Sequence, residues 1–454
     1  MHSALKNMGQ KPMAWGLRGL MGGRRVSRPL ACGLVALAGA MAVGHVRAQT
    51  LTEVVRRALE TSPALLSAQA RVEAAQADVG RARSAHYPQW SLVGNANSFQ
   101  SGAMPAAVGP RNLLPTAKLN LWSGGRIQAE VEHSQALTQA SQAQQAVAQD
   151  ELALQVTEAY LGWHKLHELQ QLAQRNLADH LETLDMIRQI VQVDQGRGID
   201  LKQAQLRVDS AQWTLQQYAA EQAKALVRLQ RHGAFVGRSA TASGPPPAFS
   251  AEALEAVPDT LEAACASVSD DLPILAQYGA QIEAAQAAIQ QARGQHWPTV
   301  DLLASRQFNP NIQRLDNLTQ IQLNMPLYSG RSVEFQVAAA QAQWRAAQAA
   351  LEEARQVQLE KTAAAWHDWQ SAKARSHVGL AQSAQGDAVV QGYRAQFRLA
   401  RRSLLDLLNI QADVFNYRSN AVMSRYDELI AKARLLSAMG GLVRRLRPDG
   451  PGLS

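Results

Sequence analysis

Cysteine, aromatic residues and long apolar runs are all scarce in this chain of 454 residues, and each scarcity excludes something. There are two cysteines. Cys32 falls in an N-terminal leader described below, so Cys265 is left alone and no internal disulfide is expected. Aromatics make up 5% of the chain, while Ala, Gln and Leu abound, a composition that favours long helices over a compact globule. After residue 48 no apolar run reaches the ~18 residues of a membrane helix, so only a β-barrel would let the remainder cross lipid. Phosphate loops, nucleophile motifs and Cys/His clusters are missing too, and neither an enzyme nor a cofactor is expected.

Residues 1–48 stand apart. They hold Lys6, Lys11, Arg18, Arg24, Arg25, Arg28 and Arg47 but no Asp or Glu. The apolar stretch Leu30 to Val43 follows, then Val46-Arg47-Ala48 before Gln49. A basic lead, a short apolar core and small residues at a cut site predict a secretory signal. Leu30-Ala31-Cys32 makes no lipoprotein box, because the apolar run follows the cysteine instead of preceding it. Of 45 basic residues seven lie in this leader, which leaves 38 against 37 acidic ones. The basic character therefore belongs to the leader, and no nucleic-acid partner is implied.

What the chain does contain is a duplication. Val72-Glu73-Ala74-Ala75-Gln76-Ala77 returns as Ile282-Glu283-Ala284-Ala285-Gln286-Ala287, and His86-Tyr87-Pro88 as His296-Trp297-Pro298. The offset is 210, and nine of the 17 positions from 72 to 88 are identical, beyond what shared composition produces. Trp122-Ser123-Gly124 matches Tyr328-Ser329-Gly330, and Asp200-Leu201 matches Asp406-Leu407, both at offset 206. The first repeat is placed at 49–232, a linker with Pro245-Pro246-Pro247 at 233–258, the second repeat at 259–440 and a flexible tail at 441–454.

Each repeat reads as short helix, helix, two strands, very long helix, helix. Pro63 and Pro273 suit first helical turns, and Pro88 and Pro298 end the helices that follow. Strands are predicted at about 89–99 and 113–122, and at about 299–308 and 318–327. The alternation is clearest where Thr319, Ile321, Leu323, Met325 and Leu327 interleave with Gln320, Gln322, Asn324 and Pro326, giving one greasy and one wet face. The strand–helix turns carry Gly124, Gly125 and Gly330. From Arg126 to Val193 there is no proline and one glycine, Gly162, and from Arg331 to Ala400 again no proline. A helix of about 68 residues is about 100 Å long, and two shorter helices stacked end to end reach about as far beside it. His164 and His167, with Glu168 beside them, lack a further ligand cluster, so no metal site is expected there, and Trp366, His367, Asp368 and Trp369 are expected to mark a helix contact.

Three stretches carry a family resemblance: Ala82-Arg83-Ser84-Ala85-His86-Tyr87-Pro88 with its copy, Leu121-Trp122-Ser123-Gly124-Gly125-Arg126 with its copy Leu327-Tyr328-Ser329-Gly330-Arg331, and Arg401-Arg402-Ser403-Leu404-Leu405-Asp406-Leu407-Leu408-Asn409. In order and duplicated, they resemble the TolC family of Gram-negative outer-membrane channels over about 51–440. The resemblance implies a mainly α fold with a small β part, a homotrimer with a twelve-stranded transmembrane barrel set in outer-membrane lipid, and a long periplasmic α-helical barrel. The third stretch resembles members that serve type I secretion of large proteins such as RTX-type toxins or adhesins. A periplasmic adaptor and an inner-membrane ABC transporter are then the implied partners. The alternatives are the outer component of a small-molecule efflux pump, with a proton-driven pump as partner, and a soluble periplasmic coiled-coil adaptor.

The same resemblance places a periplasmic gate at the two turns that follow the long helices. These carry Gly196, Gly198 and Asp200 in one repeat, and Arg402, Ser403 and Asp406 in the other. Asp406 resembles a pore-facing aspartate, and Arg402 resembles an arginine that pairs with neighbouring helices, with Asp200 as its natural partner. Asn409 stands where some members have a second acidic residue. The residues alone allow a plainer reading, in which Arg402 and Asp406 only cap and decorate a helix start.

Overall fold

The computed structural model describes residues 50–95, 98–99, 107–108, 112–233, 254, 257–309 and 314–446. The predicted leader, nearly all of the linker, the loop residues Gly102, Pro105, Gly109, Pro110, Pro310 and Asn311, and the tail after 446 lie outside them.

The first repeat runs α1 (Leu51–Thr61), α2 (Pro63–Ser84), β1 (Gln89–Asn95), β2 (Ser98–Phe99), β3 (Ala107–Val108), β4 (Asn112–Trp122), α3 (Arg126–Val193) and α4 (Gly198–Arg231). The second runs α5 (Leu261–Ala266), α6 (Pro273–Arg293), β5 (Thr299–Asn309), β6 (Arg314–Asn324), α7 (Ser332–Arg398) and α8 (Leu404–Ala438), followed by α9 (Leu442–Leu446). Pro63 and Pro273 occupy the first turns of α2 and α6, where the missing N–H costs nothing. The two long helices hold 68 and 67 residues, about 100 Å each at ~1.5 Å per residue. Among the described residues no helix is long and apolar enough to cross a membrane.

The four main strands form one antiparallel sheet in the order β1-β4-β5-β6. Each repeat contributes a pair, and the seam between repeats is the β4–β5 ladder, where Asn120 faces Asp301. The period-two pattern sorts the side chains by face. Asn120, Asp301 and Gln322 align across the sheet on one side, and Leu119, Leu302 and Ile321 on the other. On the greasy side Trp90, Leu92, Ile321 and Leu323 are all more than 60% exposed, so nothing among the described residues covers it. β6 covers 314–324, whereas the alternation alone predicts 318–327. Pro326 has no N–H to offer a ladder, and the chain leaves the sheet before it.

Both strand–helix turns use two successive left-handed residues: Gly124 (φ 62°) and Gly125 (φ 79°), then Gly330 (φ 62°) and Arg331 (φ 64°). Gly124 has a second reason to be glycine, since a Cβ there would lie 2.3 Å from that of Trp297. Arg331 holds the same backbone conformation without glycine's freedom, tied by its Nε to Glu334 at 2.6 Å.

α2 and α4 pack in succession along α3, and α6 and α8 along α7, with α3 also meeting α6 and α8. Among the described residues the two largest apolar cores lie at different heights along these helices. One lies midway along α3, where Val156, Tyr160 and Leu161 meet Val54 and Val55 of α1, Leu229 of α4, Leu436 of α8 and Leu442 of α9. The other joins the far ends of all four long elements: Leu184 and Ile187 of α3, Val208 of α4, Phe397 of α7, and Leu404, Leu407 and Leu408 of α8. His164 lies buried against the Tyr160 ring, and burial holds its imidazole down at about 4, so it packs as a neutral ring. His167 bonds Gln222 of α4 at 2.9 Å.

α7 and α8 approach closely through Gly379, where an added Cβ would meet Ser424 Oγ at 2.9 Å and Ala421 Cα at 3.2 Å. Gly379→Val should therefore overpack this crossing and cost about 1–3 kcal/mol. Gly162, with nothing within 4 Å of its added Cβ, should accept Ala with a gain of about 0.4–1 kcal/mol. Thermal unfolding followed by helical circular dichroism checks both, and equal midpoints for the two variants would contradict this packing.

Candidate functional site

At the end of the molecule remote from the sheet, the two repeats present their turns over the second apolar core. The first turn follows α3. Asp194 ends the helix in extended conformation and accepts the Gly196 N–H at 3.1 Å, folding Gln195–Arg197 into a single 3-10 turn. α4 begins at Gly198, and Asp200 lies in its first turn, where a negative charge favours the helix dipole. The Asp200 carboxylate receives Arg197 Nε at 2.8 Å.

The second turn follows α7. Ala400 is left-handed (φ 56°), and the Arg401 N–H returns to the Gln396 carbonyl at 2.9 Å, the closure typical of a left-handed helix end. Ser403 then caps α8. Its hydroxyl oxygen accepts the Asp406 N–H at 3.1 Å, while the Asp406 carboxylate accepts the Ser403 N–H at 3.2 Å and its hydroxyl at 2.7 Å. This is a reciprocal capping box, two orphan donors satisfied at once. The Ser403 hydroxyl and N–H, with the Arg402 charge beside them, hold the Asp406 carboxyl below its usual range.

Within the subunit the expected pairing of Arg402 with Asp200 is not made. Arg402 Nε donates to Gln396 Oε1 at 3.1 Å, and the guanidinium lies 4.5 Å over the Tyr393 ring. Asp200 is taken by Arg197, three residues away. A partner on the same turn demands less ordering of two long side chains than one on another helix. Asn409 accepts from Arg207 Nη2 at 3.2 Å and so links α8 to α4.

One constellation at this end carries no local sequence signal. Arg394 of α7, only 15% exposed, bonds Asp179 of α3 at 3.0 Å and reaches Glu182 at 3.6 Å. Arg398 meets Glu182 at 3.2 Å. The acids sit about one turn apart on one long helix and the bases about one turn apart on the other, but nothing in a single sequence matches the pairs. Beneath them Gln411 donates to Thr183 at 3.1 Å. His180 is buried; desolvation first, then the charges of Arg207 and Arg394 against an opposing Asp179, keep its imidazole below the ordinary value and neutral. The far ends of the four helices are thus held by an apolar core and by polar clamps between helices.

Ser403→Ala should remove the cap at a cost of about 1 kcal/mol and speed amide exchange in the first turn of α8. The folded Asp406 value is depressed, so its contribution is complete above the ordinary Asp value of about 4 and is lost as pH falls through the lower folded value. Hydrogen exchange against pH checks this. An α8 first turn equally protected in wild type, Ser403→Ala and Asp406→Asn would rule out the capping role.

A family model described as outer membrane efflux protein matches residues 54–232 and 271–441, one stretch in each repeat. The chain is 26% identical over 418 residues to protein CyaE of Bordetella pertussis, covering 88% of this chain and 85% of that protein. It is 24% identical over 438 residues to the outer membrane efflux protein BepC of Brucella suis, covering 94% and 93%. Its fold superposes on the open state of the MtrE outer membrane channel of Neisseria gonorrhoeae with a TM-score of 0.73 at 19% identity, covering 86% of this chain and 89% of that one.

Proposed function

This chain belongs to the outer membrane efflux protein family, and we propose that three copies of it form the outer-membrane exit duct of a type I secretion system exporting a large protein. The family is one of outer-membrane ducts and not of enzymes, which sets the soluble adaptor reading aside. The observation that carries the proposal is the open four-stranded sheet, greasy on one face and wet on the other, at one end of helices about 100 Å long. Four strands cannot close on themselves, and an open edge is not tolerated in lipid. Three sheets of four supply twelve strands. Because β1 and β6 run oppositely in the sheet, β6 of one copy meets β1 of the next antiparallel, as bacterial barrels require.

The helices then continue the duct into the periplasm, and the turns at their far ends form its inner opening. There Asp406 of three copies would make an anionic ring. With Asn409 in place of a second acid, block by cations is expected to be weak. A periplasmic adaptor and an inner-membrane ABC transporter would supply alignment and energy. Secretion is favoured by the stretch Arg401 to Asn409. Small-molecule efflux with a proton-driven pump is the second reading, favoured by the family description and by the name of the Brucella suis relative.

Deleting the gene and assaying the culture medium beside drug susceptibility separates the two. Loss of a large secreted protein with unchanged susceptibility is expected, and the reverse pattern would transfer the chain to efflux. In planar bilayers, Asp406→Ala should relieve what cation block exists and Arg402→Ser should alter the open level. Identical traces would remove both residues from the opening.

A further inference from the structure

We propose that Lys118 and Asp301, paired across the seam between the repeats, set the ion selectivity of the duct's membrane segment by holding its wall electrically neutral. The inference rests on the barrel reading above, in which the wet face of the sheet becomes the lumen.

Lys118 Nζ lies 2.9 Å from Asp301 Oδ2, and Asn120 Nδ2 donates to Asp301 Oδ1 at 2.8 Å. Asn120 stands directly opposite Asp301 in the β4–β5 ladder, and Lys118 stands two residues further along β4 on the same face. The wet face therefore carries a designed-looking trio that only the joining of the two repeats can assemble. Asp301 is 8% exposed at its side chain, sheltered by its partners, whereas the Lys118 side chain is 52% exposed and open to the wet side.

The pair lines a concavity of about 420 Å³ where the sheet meets the start of α3, which adds Arg126 and Glu130. Glu130 is in turn paired with Arg81 of α2, and Arg81 with Asp78, so three bases and three acids balance there. Three copies would repeat the balance around the barrel, so the segment should discriminate little between anions and cations. Removing one partner bares three like charges on the wall. At ~0.1 M salt their field extends about 10 Å, and at 1 M about 3 Å, so the effect should be large at low salt and fade at high salt.

The test is the reversal potential of reconstituted channels under a salt gradient. Asp301→Asn keeps the shape of the side chain and frees the lysine ammonium; permeability should shift several-fold toward anions. Lys118→Met should shift it several-fold toward cations. The exchange variant, Lys118→Asp with Asp301→Lys, should return to near the wild-type value. Reversal potentials that stay at the wild-type value in both single variants would overturn the inference while leaving the duct intact. If the wild-type protein itself forms no channel, it is the duct reading that fails. Where a variant does not assemble, Lys118→Cys in a Cys265→Ser background, modified after reconstitution in separate samples with an anionic or a cationic thiol reagent, reads the same quantity. A conductance indifferent to the reagent's charge overturns the proposal equally.

Discussion

An amphipathic sheet with two unpaired edges governs everything else in this molecule. Backbone groups on an open edge must be satisfied, and in hydrocarbon there is no water to do it. Trp90, Leu92, Ile321 and Leu323 give the sheet a face that water disfavours, and the β1 and β6 edges give it no way to close within one chain. In the proposed duct both deficits are met by neighbouring copies and lipid. The helices answer a different requirement. They carry the wall of the duct away from the membrane, with apolar cores midway and at the far end where several elements cross.

Much of this architecture could be read directly. The proline-free stretches outline α3 and α7, Pro63 and Pro273 start α2 and α6, and alternation of greasy and wet residues marks β4 and β6. The strand–helix turns were legible because Gly124, Gly125 and Gly330 repeat at a fixed offset, although Arg331 takes a left-handed conformation that no composition rule suggests. Alternation overruns the end of β6 because it continues through Pro326, which cannot join a ladder. The β4–β5 seam was out of reach as well, since residues 181 apart in sequence meet there as Asn120 and Asp301.

At the far end, sequence order located the two turns but not their partners. Arg402 and Asp200 are each satisfied within a few residues, and the interhelical clamp falls instead to Arg394, Arg398, Asp179 and Glu182. Long side chains choose partners by reach, and reach depends on helix rotation, which a single sequence does not specify. The Ser403–Asp406 cap was foreseeable as a plain capping arrangement, and it leaves the carboxylate charged. Structural capping and a role at an opening are compatible in the same aspartate.

The strand order has a bearing on biogenesis. Because the middle of the sheet is the contact between repeats, the first half of the polypeptide can form only one hairpin until the second half has emerged. Loop closure over so long a stretch is slow, and hairpins waiting with bare edges invite association with the wrong neighbours. A nascent chain of this design therefore gains from escorts that shield its strands during passage to the bilayer, and each protomer's sheet is complete only once Asn324 of the 454 residues has been made.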